Sequence, residues 1–178
     1  MNIGSFHPDV KHLVAMAGFL SPEVILKQNL RGWLAFYRKR LIRSEKEAAP
    51  KYADCTALDA LRKTDARVLV IHSEDDGTVS CEKNFDVLAR ELADRKGITF
   101  LRLKGKVHNP HYTEDAVRYK RAFFKTYHES IRKGLLEGKE ETRAFRDRYD
   151  WNRMTEQDPA IWNCIFDVLD EGMGRSKK

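Results

Sequence analysis

The chain of 178 residues has no long apolar run, few cysteines and no leader-like start. No stretch approaches the roughly 18 apolar residues that a membrane-spanning helix needs. Residues 1–8 lack the basic and apolar regions of a secretory signal peptide. Three cysteines, Cys55, Cys81 and Cys164, match no metal-binding or disulfide spacing. We therefore expect a cytoplasmic protein whose thiols are reduced.

The charged fraction is high, at 34%, and the net charge of +6 is concentrated in one stretch of the chain. Only Glu45 and Glu47 oppose the basic residues there. No aromatic stacking platform or nucleic-acid motif accompanies them. We favour the solvated face of an amphipathic helix over a nucleic-acid patch, and we predict neither a nucleic-acid nor a membrane partner. The basic residues of this stretch are Arg31, Arg38, Lys39, Arg40, Arg43 and Lys46.

Three short apolar runs, at residues 12–17, 68–71 and 98–103, have the length and composition of β-strands. The run 68–71 is rich in β-branched residues and apolar at every position, as a central parallel strand is. Ser21 before Pro22 is a suitable N-cap for a helix that continues to about Leu41. Strands alternating with helices predict an α/β fold with a parallel sheet and right-handed crossovers. Further helices are predicted over 57–62, 81–94 and 114–134.

Polar turns follow the second and third predicted strands, at the sheet edge where ligands bind in open α/β folds. Asp76 lies in the first of these turns and His108 in the second. Because successive parallel strands end at the same edge, we expect the two side chains to lie close together. A carboxylate beside an imidazole selects its tautomer and stabilises its protonated form. The pair therefore suits acid–base catalysis.

The segments 68–79 and 105–108 resemble two motifs of the α/β-hydrolase family, in particular its serine esterases and dienelactone-hydrolase-like members. The family pattern is an apolar strand followed by His-Gly-x-x-Asp-x-x-Val. Here Ser73 replaces the glycine and Asp76 falls on the aspartate. The second segment resembles the small-residue turn that presents the catalytic histidine, here His108, and acid before histidine is the family's chain order. The resemblance implies that these two residues belong to a catalytic triad.

By this resemblance, residues 1–20 and 66–135 form the C-terminal part of a partial α/β-hydrolase core. Residues 21–65 then form a helical lid insertion and residues 136–178 a charged helical extension. Substrates would be small esters or amides, cleaved by acyl transfer without a metal or organic cofactor. We expect apolar residues to dock the extension on the core, namely Trp151, Trp162, Ile165, Phe166 and Leu169. Gly172 and Gly174 are expected to mark its fraying end.

The family's nucleophile motif, Gly-x-Ser-x-Gly on a tight strand-to-helix turn, is absent from the chain. Ser5 follows Gly4, but no strand precedes it. Ser80 suits a helix cap. Cys81 would have a lowered pKa at a helix N-terminus, although we do not favour it as a nucleophile. We interpret the chain as the C-terminal portion of a serine hydrolase, inactive when isolated and associated with a missing N-terminal portion.

Other carboxylates and histidines lie near the predicted pair. Glu74 and Asp75 are interpreted as solvated turn carboxylates, because the motif spacing selects Asp76. His72 ends an apolar strand, where a hydrogen-bonded structural role fits best. His111 comes after a proline, where the turn is already leaving the site.

A second function class is a non-catalytic binding or assembly module derived from a truncated hydrolase. A strand edge near residues 13–18 would be free to pair with another chain, so we predict a homo-oligomer. The aromatic residues Trp33, Phe36 and Tyr37 in the insertion suit packing better than lining a pocket. A truncation product without a selected function is the third interpretation.

Overall fold

A computed structural model describes residues 1–170, except for the side chains of Lys51 and Ala53. It contains a three-stranded parallel sheet in the order β1, β2, β3. The strands are β1 (His12–Met16), β2 (Arg67–Ser73) and β3 (Ile98–Leu103). The predicted α/β class with a parallel sheet is confirmed, while Gly172 and Gly174 lie outside the described residues.

Helices connect the strands and follow the sheet. Thr56 and Thr113 cap the helices that begin at Ala57 and Glu114 by accepting from backbone N–H groups. Ser21 caps the helix that begins at Pro22, as predicted. Two 3₁₀-helices span Asn2–Ser5 and Gly32–Phe36. The α-helices are α1 (Pro22–Asn29), α2 (Tyr37–Ala48), α3 (Pro50–Ala53), α4 (Ala57–Lys63), α5 (Phe85–Glu91), α6 (Glu114–Arg132), α7 (Lys139–Arg146), α8 (Trp151–Met154) and α9 (Pro159–Asp170).

Two helices differ from the predicted bounds. The helix expected from Ser21 to Leu41 is broken, because Leu30 leaves the helical conformation with φ −100° and ψ 87°. The chain restarts as a 3₁₀-helix at Gly32, which has φ +57°, before α2 begins. The helix expected from residue 81 begins only at Phe85. The side chain of Asn84 instead donates to the carbonyl of Ser80 and accepts from the N–H of Leu20, which holds the preceding residues in a turn.

Strand β2 is the centre of the core and is buried on both faces. On one face Val68 and Val70 pack with residues of β1, α4 and α5. On the other face Leu69 and Ile71 pack against Ile161 and Ile165 of α9. The two layers bury the apolar surface that stabilises the sheet.

Helix α9 therefore docks the C-terminal extension on the sheet. Ile165 is buried there, and Trp162 and Leu169 are partly buried against the same cluster. Trp151 is partly exposed but its ring packs edge-on against Phe123 of α6, with 5.5 Å between the ring centres. Phe166 is 51% exposed, so the docking expected of it is not observed. Within residues 1–170, the structure contains no helix with the length and apolar character needed to cross a membrane.

The predicted insertion has two parts with different surroundings. Helix α4 packs into the main core through Ala57, Ala60 and Leu61. Residues 31–54, called here the exposed insertion, have no residue in the buried class among those whose burial is described. Trp33 is 75% exposed and Phe36 67% exposed, so neither ring is buried. Phe36 does pack on Tyr37, with 3.9 Å between the ring centres, whereas the packing expected of Trp33 is not observed.

Candidate acid–histidine site at the strand ends

Asp76 and His108 lie together at the carboxyl ends of β2 and β3. Oδ2 of Asp76 lies 2.9 Å from Nδ1 of His108. Oδ1 of Asp76 accepts from the N–H groups of Thr78 at 2.8 Å and Val79 at 2.9 Å, in the manner of an aspartate turn. The Asp76 side chain is 0% exposed. Both carboxylate oxygens are therefore held in place by the turn and by the imidazole.

His108 is presented by a strained turn. Gly105 has φ +78° and Val107 has φ +48°, which is a sparsely populated region for a β-branched residue. The His108 side chain is 43% exposed. Because Nδ1 faces a carboxylate acceptor, it carries the proton in the neutral ring, and Nε2 is left as the basic nitrogen. Nε2 makes no hydrogen bond to the part of the chain that the structure describes.

Asp75 ties the two turns together, and sequence reasoning missed this role. Its Oδ1 accepts from the hydroxyl of Ser73 at 2.6 Å and from the N–H of Gly105 at 3.0 Å, and its Oδ2 lies 3.2 Å from the guanidinium of Arg121. Burial would raise the pKa of Asp75, but the hydrogen bonds from Ser73, Val107 and Gly105 outweigh it and the pKa is lowered. Asp75 is not the purely solvated carboxylate that we expected.

The hydroxyl of Ser73 has two structural contacts. It donates to Asp75 and accepts from the N–H of Lys106 at 3.1 Å. Ser73 is fully buried, so these bonds satisfy a hydroxyl that has no access to water. Ser73 therefore links the turn that carries Asp76 to the turn that carries His108.

A buried lysine joins the His108 turn to the C-terminal extension. Nζ of Lys106 lies 2.6 Å from Oδ2 of Asp158 and 2.9 Å from the carbonyl of Tyr112. Asp158 also accepts from the N–H of Ala160 at the start of α9. The hydrogen bond from Lys106 lowers the pKa of Asp158. No local signal marks this pair, because its partners are 52 residues apart.

The competing residues occupy other positions. His72 is fully buried, with Nε2 2.9 Å from the carbonyl of Val79 and 3.4 Å from Oδ2 of Asp76, which fits the structural role expected of it. Burial, and then the charge of Lys120, lower the pKa of His111. Glu74 is at the surface near Arg102 and Lys104 and remains a turn carboxylate.

None of the considered nucleophiles has the geometry of a nucleophile elbow. Ser5 is exposed at the end of a 3₁₀-helix, with no strand before it. The hydroxyl of Ser80 accepts from the N–H of Lys83 at 3.3 Å, as a local cap does. Burial, followed by the charge of Asp86, raises the pKa of Cys81 to about 11. The lowered pKa expected for Cys81 is therefore wrong, because the helix starts later and the thiol is buried.

Two cavities adjoin His108. The first, of about 540 Å³, lies between the end of β1, helix α1 and the Asp76 turn. The second, of about 510 Å³, lies between the His108 turn and α6. Ala17, with φ +49°, lines the first and Val107 lines the second. These are the non-glycine residues with positive φ in residues 1–170, and such strain concentrates at functional sites.

Comparison with known proteins finds no match: no family model, curated protein or solved structure matches this chain. In residues 1–170, no group of three or more histidine, cysteine, aspartate and glutamate side chains is arranged to hold a metal ion. The basis for a functional assignment is therefore the geometry at the strand ends.

Proposed function

We propose that Asp76 and His108 are the acid and the histidine of a serine-hydrolase triad, acting on an ester or amide by acyl transfer. The nucleophile comes from outside this chain. The observation that carries the proposal is the 2.9 Å contact between a fully buried carboxylate and an imidazole that is open to a cavity. The α/β sheet supports it, since the pair stands where ligands bind in such sheets.

In this mechanism the hydroxyl nucleophile attacks the substrate carbonyl while Nε2 of His108 takes its proton. The tetrahedral intermediate collapses when the imidazolium returns that proton to the leaving group, and the acyl group stays on the nucleophile. Asp76 holds the ring in the Nδ1–H tautomer and stabilises its positive charge. Water, deprotonated by His108 in the same way, then attacks the acyl group. This step releases the carboxylic acid product and returns the proton to the nucleophile's oxygen.

The first cavity is the place for the nucleophile and the acyl group. Its volume of about 540 Å³ is within the range of small-molecule pockets. The side-chain amide of Gln28, on α1, donates to the carbonyl of Thr78 at 3.0 Å and accepts from the N–H of Ser80 at 2.9 Å. These bonds fix α1, which forms a wall of the cavity, in position relative to the turn that carries Asp76.

A small alcohol added in place of the missing nucleophile tests the proposal. Methanol should accelerate the release of p-nitrophenol from p-nitrophenyl acetate by the wild-type chain. In the His108→Gln variant, the methanol-dependent rate of p-nitrophenol release should be about a hundredfold lower. This is the lower end of what a positioned general base contributes. His128→Gln, which changes an exposed histidine on α6, is the matched control and should behave as the wild type.

Two results would contradict the proposal. Equal methanolysis by the wild type and His108→Gln would show that the imidazole is not a general base. Stoichiometric labelling of a serine in the chain by a fluorophosphonate would show that the nucleophile is not missing.

A second candidate is the non-catalytic, self-associating module. The observation in its favour is the free edge of β1, which in residues 1–170 pairs only with β2. Unpaired backbone at such an edge can add a strand from another copy. Light scattering over a wide range of concentration tests it, and a constant monomer mass would exclude self-association.

A further inference from the structure

The second cavity is an apolar groove on the side of His108 away from α1. Val117 and Phe124, both on α6, form its floor and rim, and Val107 and Tyr112 close it from the His108 turn. Val117 is buried, whereas Phe124 is well exposed. The groove therefore has a buried apolar floor at Val117 and an exposed phenyl ring at its rim.

Two cations stand at this groove, and their surroundings differ. The guanidinium of Arg121 lies 3.2 Å from Oδ2 of Asp75, so its charge is already balanced. Nζ of Lys120 lies 5.2 Å from the centre of the Tyr112 ring. No carboxylate among residues 1–170 pairs with Lys120. A cation resting on a ring face keeps most of its charge available for an anion. The groove therefore offers one uncompensated positive charge.

His108 lines both cavities, so a molecule whose reacting carbonyl lies at His108 reaches into each of them. One part enters the first cavity beside α1, and the other part lies along Val117 and Phe124 toward Lys120. The volume of about 510 Å³ accommodates a group of the size of a phenyl ring with a short chain.

We propose that the second cavity binds the apolar portion of a substrate that ends in a carboxylate, with the carboxylate paired to Lys120. The inference rests on the proposed function, because it makes this molecule the ester or amide that His108 acts on. A singly charged carboxylate is favoured over a phosphate, since a single unpaired cation faces the groove in the described chain. Val117, Tyr112 and Phe124 select the apolar body, and Lys120 selects the charge.

The test compares two ligands of the same shape, 3-phenylpropanoate and the neutral 3-phenylpropanamide. Each is titrated into the chain while the ring protons of His108 are followed by NMR. The carboxylate should bind about fivefold more tightly than the amide, as a partly exposed ion pair provides. Lys120→Gln should make the two affinities equal. Lys125→Gln, which removes an exposed lysine from the same helix, should keep the preference.

Equal affinities in the wild type, no binding of either ligand, or loss of the preference in Lys125→Gln would each overturn the inference. The readout needs no turnover, so it separates this inference from the proposed function. A carboxylate preference without His108-dependent methanolysis would overturn the substrate role and the proposed function, and only the anion site would stand. Methanolysis without a carboxylate preference would overturn the anion site alone.

Discussion

Two aspartates with basic partners, Asp76 and Asp54, lie in opposite surroundings. Asp76, at the strand ends, has a side chain with 0% exposure and holds His108 across 32 residues of sequence. Asp54, in the exposed insertion, pairs with Lys46 only eight residues away, and its side chain is 74% exposed. The first aspartate fixes the position of a distant group, whereas the second is largely solvated. We therefore expect Asp76 to contribute to the stability of the fold and Asp54 to contribute almost nothing to it.

The largest effect is expected from Asp76→Ala. The change leaves the N–H groups of Thr78 and Val79 without their acceptor, and the free energy of unfolding should fall by about 3 kcal/mol. Asp54→Ala is the matched change in the exposed insertion and should not move the urea midpoint measurably. Equal losses in the two variants would remove the distinction between the regions.

A smaller loss is expected from Asp158→Asn. The change weakens the partner of the buried Lys106 ammonium and should cost about 2 kcal/mol, since an incompletely paired buried charge is unfavourable. Asp167→Asn, an exposed position on the same helix, is the control and should leave the urea midpoint unchanged. If both variants unfold alike, the link between α9 and the His108 turn contributes nothing.

Acid should weaken the strand-end region through its two carboxylates of lowered pKa, Asp75 and Asp158. In the unfolded chain such groups take up protons near pH 4, above their folded pKa. The unfolded state then binds more protons, so stability is fully present above that value and is lost as pH falls through the folded pKa. Urea midpoints measured from pH 6 to pH 3 should fall less steeply for Asp158→Asn than for the wild type. Parallel curves would show that the pairing of Asp158 is not linked to folding.

The smallest effect is expected from Trp33→Ala in the exposed insertion. This side chain is 75% exposed, so its removal should change the free energy of unfolding by less than about 0.5 kcal/mol. Trp162→Ala is the control in the other region, because its ring packs against the α9 cluster and donates to Gln157. A large loss from Trp33→Ala would mean that the ring is covered in solution.

The parts of this architecture that could be predicted from sequence are those that local patterns determine. The apolar run of β2 and the turns after β2 and β3 were enough to place Asp76 beside His108. The link from Asp75 to Gly105 and the Lys106–Asp158 pair were missed, because they join residues 30 and 52 positions apart and nothing nearby in the sequence marks them. The pKa of Cys81 was predicted in the wrong direction, because its burial depends on tertiary packing.

The central claim is that Asp76 holds His108 in the tautomer that leaves Nε2 free to act as a base. Long-range ¹H–¹⁵N correlation spectra of the His108 ring measure this tautomer directly. The wild type should show the proton on Nδ1, and Asp76→Asn should move it to Nε2, because the new amide can donate to Nδ1. A wild-type ring protonated on Nε2, or a tautomer that Asp76→Asn leaves unchanged, would contradict the claim.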